Sequence, residues 1–286
     1  MSAPAVAEFG RRLLKKGGDD DVLFLAGGVA FNILLAGVPF FLLLAAGLGY
    51  ALGTSASASN TAVAEFIRDL FPVGADASHS VVDPILRDVA RTRGTVGLFG
   101  AVAFVWFSTR LFGSLRAVFN RIFAVPRGRG ILLGKLYDVA LTLSASVLIV
   151  LYITASAYMA IARTRGVAFL ADLGLHADAL MRPVTYAIGR GVAFALLLAI
   201  FFSLYKLLPN RSVRWEQALT GAAVSAGMFE VARWAFAFAL HHWNPGTLYT
   251  GALATIVVVV FWVYYAALIV IVGGQASQVV EEMRRG

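Results

Sequence analysis

Two ionisable side chains inside one apolar run are where this sequence could do chemistry. Glu230 and Arg233 sit near the middle of the stretch 217–240. Residues three apart on a helix share a face and can pair. A charge at the centre of a bilayer costs about 2.5–3.5 kcal/mol on insertion scales, so its presence there needs a reason. Two reasons fit the residue types. The pair could be a protonatable or substrate-contacting site on a polar pathway, or it could lock helices together. Ala222, Ala226 and Glu230 fall on one stripe, with Gly221, Ser225 and Arg233 on the next. Small residues allow close helix approach, so Glu230 is expected to face protein. Asn32 in the first apolar stretch and Asp138 in the third would be nearby polar contacts. Pro39 frees a backbone carbonyl within the first stretch, and broken helices line cavities in transporters. Arg190 is placed to snorkel towards an interface.

Other chemistries lack their residues. The sequence has no G-x-x-x-x-G-K-[ST], no H-E-x-x-H, no G-x-S-x-G and no cysteine. Nucleotide hydrolysis, zinc proteolysis, serine hydrolysis and thiolate chemistry therefore have no motif to rest on. His241 and His242 are adjacent, so their side chains splay apart. The expectation is a protein that is not an enzyme, with no cofactor and no metal site.

The elements that must position these residues follow from composition. The 286 residues are 59% hydrophobic and 14% charged, against about 45–50% and about 25% in an average soluble domain. Six apolar stretches, 23–52, 95–114, 136–161, 184–207, 217–240 and 250–273, are each close to or longer than the ~20 residues a spanning helix needs. The fold predicted is all-α: a polytopic membrane protein with six transmembrane helices over 23–274, an N-terminal tail 1–22 and a C-terminal tail 275–286. The first stretch is too long for a signal-peptide core, which has about 7–15 apolar residues. In the first external loop, 53–94, Val63, Phe66, Ile67 and Leu70, then Val81, Val82, Ile85 and Leu86, recur at helical spacing around Pro72-Val73-Gly74. They predict two short amphipathic helices at the outer interface.

Charge sets orientation. Lys and Arg exceed Asp and Glu by a net +8. The excess falls on the N-terminal tail, on 110–135, on 206–214 and on the last residues. Arg110, Arg116, Arg121, Arg127, Arg129 and Lys135 have no acid among them. By the positive-inside rule both termini are cytoplasmic, and the same rule explains the basic excess without nucleic acid. Arg110, Arg116 and Arg121 are interleaved with Leu111, Leu115, Val118 and Ile122. This predicts a basic amphipathic extension along the inner leaflet, where each basic residue gains about 1 kcal/mol from anionic headgroups.

The order of several motifs carries a family resemblance. Trp106-Phe107-Ser108-Thr109-Arg110 and Ala117-Val118-Phe119-Asn120-Arg121 are followed by Tyr205-Lys206-Leu207-Leu208-Pro209-Asn210. Arg214-Trp215, Tyr249-Thr250-Gly251 and Gly273-Gly274 come after. The set resembles the YihY/BrkB family of bacterial inner-membrane proteins over about residues 20–280. The resemblance implies six transmembrane helices with cytoplasmic termini, and Trp106, Asn120, Pro39, Pro209 and Gly251 as its structural positions. The chain departs from the family in the first span, where Ala36-Gly37-Val38-Pro39 replaces a Ser-x-x-Pro, and at Thr250.

The function expected is a transporter or exporter of a lipid or other amphiphile in the bacterial inner membrane. Membrane lipids would be its partners, with room for a homo-oligomer. A non-transporting membrane scaffold is the alternative.

Overall fold

The computed structural model describes residues 3–51, 95–125, scattered positions between 134 and 148, 178–242 and 252–285. Among these residues the fold is all helical, with six continuous helices: α1 (Ala3–Asp19), α2 (Val22–Ala51), α3 (Thr95–Ile122), α4 (Asp178–Leu207), α5 (Trp215–His242) and α6 (Ala252–Arg285). The two amphipathic helices expected in 53–94 lie outside the described residues. So does most of the third expected span, although Leu136, Tyr137, Val139, Leu143, Ser144, Val147 and Leu148 are helical. Among the described residues two single helices are long and apolar enough to cross a membrane, and a bent pair makes a third candidate.

The bent pair is α1 with α2, which meet at 68°. The stretch expected to be only a tail is thus largely a helix. Asp21 makes the corner: its φ of 53° is left-handed, a conformation Asp tolerates better than most residues. Its N–H donates to the Gly18 carbonyl at 3.2 Å, closing α1. Its own carbonyl accepts the Leu25 N–H at 3.0 Å, opening α2. On α1, Glu8 accepts hydrogen bonds from Arg12 at 2.6 Å and Arg11 at 2.7 Å. The Arg12 hydrogen bond leads in holding its carboxyl below the usual carboxylate range.

Helix α3 runs unbroken from Thr95 to Ile122, about 42 Å at ~1.5 Å per residue. The basic stretch beyond residue 114, expected as an extension of the second span, prolongs the helix. It ends in a Schellman motif. Val125 N–H bonds to the Asn120 carbonyl at 2.9 Å and Ala124 N–H to the Arg121 carbonyl at 3.1 Å. Ala124 sits at the left-handed position with φ 48°, which glycine usually fills, and Pro126 follows.

Helix α6 packs against α1, α2, α3 and α5, while α2 also packs on α3 and α4 on α5. An aromatic chain fills the spaces. Phe119 meets Tyr205 edge-on at 5.4 Å, Phe201 meets Phe229 at 6.4 Å, and Phe229 meets Trp262 at 5.3 Å. Helix α6 continues well past residue 273, where the apolar run ends. Its polar last turns stay helical because they have partners. Gln275 donates to Asp20 at 2.8 Å and to the Lys16 carbonyl at 3.2 Å. Lys16 reaches Glu282 at 3.2 Å, and Arg284 reaches Glu216 at 3.1 Å. Both ends of the described chain therefore lie on one side of the bundle.

Candidate functional site

On that side the end of α3, the end of α4, the start of α5 and the second half of α6 converge. Pro209 stops α4 and is fully buried beside Leu208. The Asn210 backbone N–H donates to Asn120 Oδ1 at 3.0 Å. Arg211 then covers the end of α3: it donates to the Phe123 carbonyl at 3.3 Å and its guanidinium lies 4.9 Å from the Phe123 ring centroid. Lys206 donates to the Val213 carbonyl. Two motifs of the resemblance, about Asn120 and about Pro209-Asn210, thus form one turn-to-turn joint.

Just inside the joint, α5 and α6 touch through small residues. A Cβ on Gly221 would lie 2.9 Å from the Gly273 carbonyl oxygen, and one on Gly273 would overlap Ser225 Oγ at 1.7 Å. Tyr205 uses this crossing. Its hydroxyl lies 2.6 Å from Ser225 Oγ and donates to the Val270 carbonyl at 2.8 Å. Ser277 Oγ donates to the Gln217 carbonyl at 2.8 Å. Tyr205, Ser225, Gln217 and Ser277 were not among the candidate site residues. Gly221 and Ser225 on α5, facing Gly273 and Ser277 on α6, are two small-x-x-x-small pairs, and that spacing was the available signal.

The Glu230–Arg233 pair forms as its spacing predicts. Arg233 donates to Glu230 at 3.0 Å, and the side chains are 19% and 24% exposed respectively. Ala222 and Ala226 on the same stripe are fully buried, so Glu230 stands at the flank of the buried face, one turn beyond it. Asn32 Nδ2 donates to the Gly28 carbonyl of its own helix at 2.8 Å. Helix α6 is the common neighbour of α2, which carries Asn32, and α5, which carries Glu230. Asp138 and Gly251 lie outside the described residues, as do the side chains of Arg190, His241 and His242. Pro39 is buried inside α2, which continues through it. Trp106 projects outward and is 65% exposed.

The three arginines of α3 do not form one face. At 100° per residue Arg110 and Arg121 fall within about 20° of each other, with Arg116 on another side. Arg110 and Arg121 are exposed accordingly, while Arg116 lies against Gly134. Arg121 pairs with Asp21 at 3.4 Å. Beside that pair runs a groove of about 670 Å³ between α2 and α3. It is lined by Leu23, Phe24, Leu25, Gly27, Gly28, Ser114, Ala117, Val118 and Arg121, and it includes neither Glu230 nor Arg233.

Long apolar helices joined by buried polar contacts at one end define a helical membrane protein. A family model described as virulence factor BrkB matches residues 13–286, and the chain belongs to that family. It is similar to a UPF0761 membrane protein of Legionella pneumophila (strain Corby), 29% identical over 241 residues, 83% of this chain and 53% of the relative. A UPF0761 membrane protein of Chromohalobacter salexigens is 27% identical over 254 residues, 86% of this chain and 56% of the relative. One of Vibrio atlanticus is 27% identical over 256 residues, 89% and 76% of the two chains. The chain spans about half the length of the Legionella and Chromohalobacter relatives. No solved structure matches it. The family read from the motif order is therefore the family found.

Proposed function

We propose that this chain is a transporter or exporter of a lipid or other amphiphile, without enzymatic activity. We place it in the bacterial inner membrane, crossing it six times with both ends in the cytoplasm. The six-span topology draws support from the joint. α2 begins there, α3 ends there, α4 ends, α5 begins and α6 ends, an alternation that needs one further crossing between α3 and α4. The apolar stretch 136–161 has the length for it. Placing the basic α1 and the 206–214 turn on the same side agrees with the positive-inside rule.

The observation that carries transport is the ion pair within α5. Arg233 and Glu230 stay 3.0 Å apart in an apolar helix, and intramembrane ionisable residues most often mark substrate or proton paths. The experiment is translocation of a fluorescent phospholipid and of protons across liposomes, comparing the chain with Glu230→Gln. The expected result is a tenfold or greater loss in a mutant that keeps its fold. Undiminished transport in a folded mutant removes Glu230 from the mechanism.

A second reading, a non-transporting scaffold, is favoured by the groove lying away from the pair. In that case Glu230→Gln lowers thermal stability and no wild-type transport is measured.

A further inference from the structure

We propose that the groove between α2 and α3 is a binding site for one phospholipid whose headgroup carries both a phosphate and a primary ammonium. The trough exists because side chains are missing from it. A Cβ on Gly27 or Gly28 would meet nothing within 4 Å, and the facing positions on α3 are the small Ser114 and Ala117. Phe24, 81% exposed, makes an apolar wall along which an acyl chain can lie. The volume of about 670 Å³ falls within the ~300–1,000 Å³ of ordinary ligand sites.

The rim selects the headgroup. Arg121 and Asp21 stand where α3 ends and α2 begins, at one end of the groove. They are 3.4 Å apart, with side chains 47% and 69% exposed. An exposed pair of this kind is held weakly, so a headgroup can enter between them. Its phosphate oxygens would accept from the Arg121 guanidinium, a charge-assisted bond, and its ammonium would donate to the Asp21 carboxylate. A purely anionic headgroup would satisfy Arg121 but press a like charge against Asp21, with Asp19 and Asp20 preceding it in sequence. The groove contains neither member of the Glu230–Arg233 pair, so this site stands whether or not the chain transports.

The test is lipid retention by the purified full chain, counted by native mass spectrometry while titrating phosphatidylethanolamine or phosphatidylglycerol of identical acyl chains. Phosphatidylethanolamine is expected to bind at least tenfold tighter. Gly27→Leu should fill the trough and abolish that binding while the melting temperature holds, because the new side chain meets open space. Asp21→Asn should erase the preference between the two lipids, and Arg121→Gln should weaken both. Equal binding of the two lipids by the unaltered chain overturns the proposal, as does unchanged binding in Gly27→Leu. A fall in melting temperature in Gly27→Leu means protein fills the groove, and conversion of a dimer to a monomer means a second copy does. Either result also overturns it.

Discussion

The Asn210 backbone N–H donates to the side-chain oxygen of Asn120 at 3.0 Å across a separation of 90 residues. One asparagine follows the proline that ends α4, and the other lies in the last turn of α3. The bond satisfies a backbone group that Pro209 leaves without a helical acceptor, and it sets how α3 meets the α4–α5 turn. Arg211 repeats the logic one residue on, taking an orphan carbonyl at the end of α3.

Asn120→Ala should therefore lower stability by about 1 kcal/mol, the cost of losing a hydrogen bond to a part-buried donor. Asn120→Asp, which keeps the acceptor oxygen, should recover much of the loss. Thermal unfolding in detergent checks both. An alanine variant as stable as the parent would show that water replaces the side chain at no cost.

The α5–α6 crossing makes a sharper contrast. Gly273→Ala would push a methyl group into Ser225 Oγ at 1.7 Å, and overpacking of this kind costs about 1–3 kcal/mol or more. Gly227→Ala, on a part of α5 where a Cβ meets nothing within 4 Å, should gain about 0.5–1 kcal/mol from helix propensity. The two variants are expected to shift the melting temperature in opposite directions.

At the end of α3 the strained residue is Ala124, φ 48°. An L-residue there costs about 1–2 kcal/mol, offset for glycine by the greater freedom of its unfolded chain. Ala124→Gly should stabilise the protein by roughly 0.5–1 kcal/mol on those two terms. A drop in melting temperature would mean that the Ala124 methyl makes a contact worth more than the strain.

For Glu230 and Arg233 a double-mutant cycle separates pairing from individual loss. Removing either partner alone leaves the other charge in an apolar helix, whereas removing both does not. Coupling of roughly 0.5–3 kcal/mol is expected for such neighbours. Coupling near zero would show that each charge is solvated independently.

Hydropathy made most of the helices legible. The apolar stretches 23–52, 184–207 and 217–240 coincide with Val22–Ala51, Asp178–Leu207 and Trp215–His242, because apolar runs of that length are too long for strands and favour helix. Two of the helix lengths that escaped did so for one physical reason. Ala3–Asp19 and the last turns of α6 are polar, and each is helical against the other through Gln275, Lys16, Asp20 and Glu282. No local pattern announces such a partner. The Glu230–Arg233 pairing was legible because it is local. The Tyr205–Ser225 contact joins two helices and the Asn120–Asn210 contact joins a helix to a distant turn, and residue type gave no register for them.

The clasp between α1 and α6 also has a bearing on synthesis. Gln275 follows Asp20 by 255 residues. At about 5–20 residues per second, the ribosome delivers the second half of that contact roughly 10–50 s after the first. Until then the corner at Asp21 is held by its local hydrogen bonds and, once α3 is made, by Arg121. The bent entry of the chain into the bundle is therefore completed late, when α6 arrives to receive it.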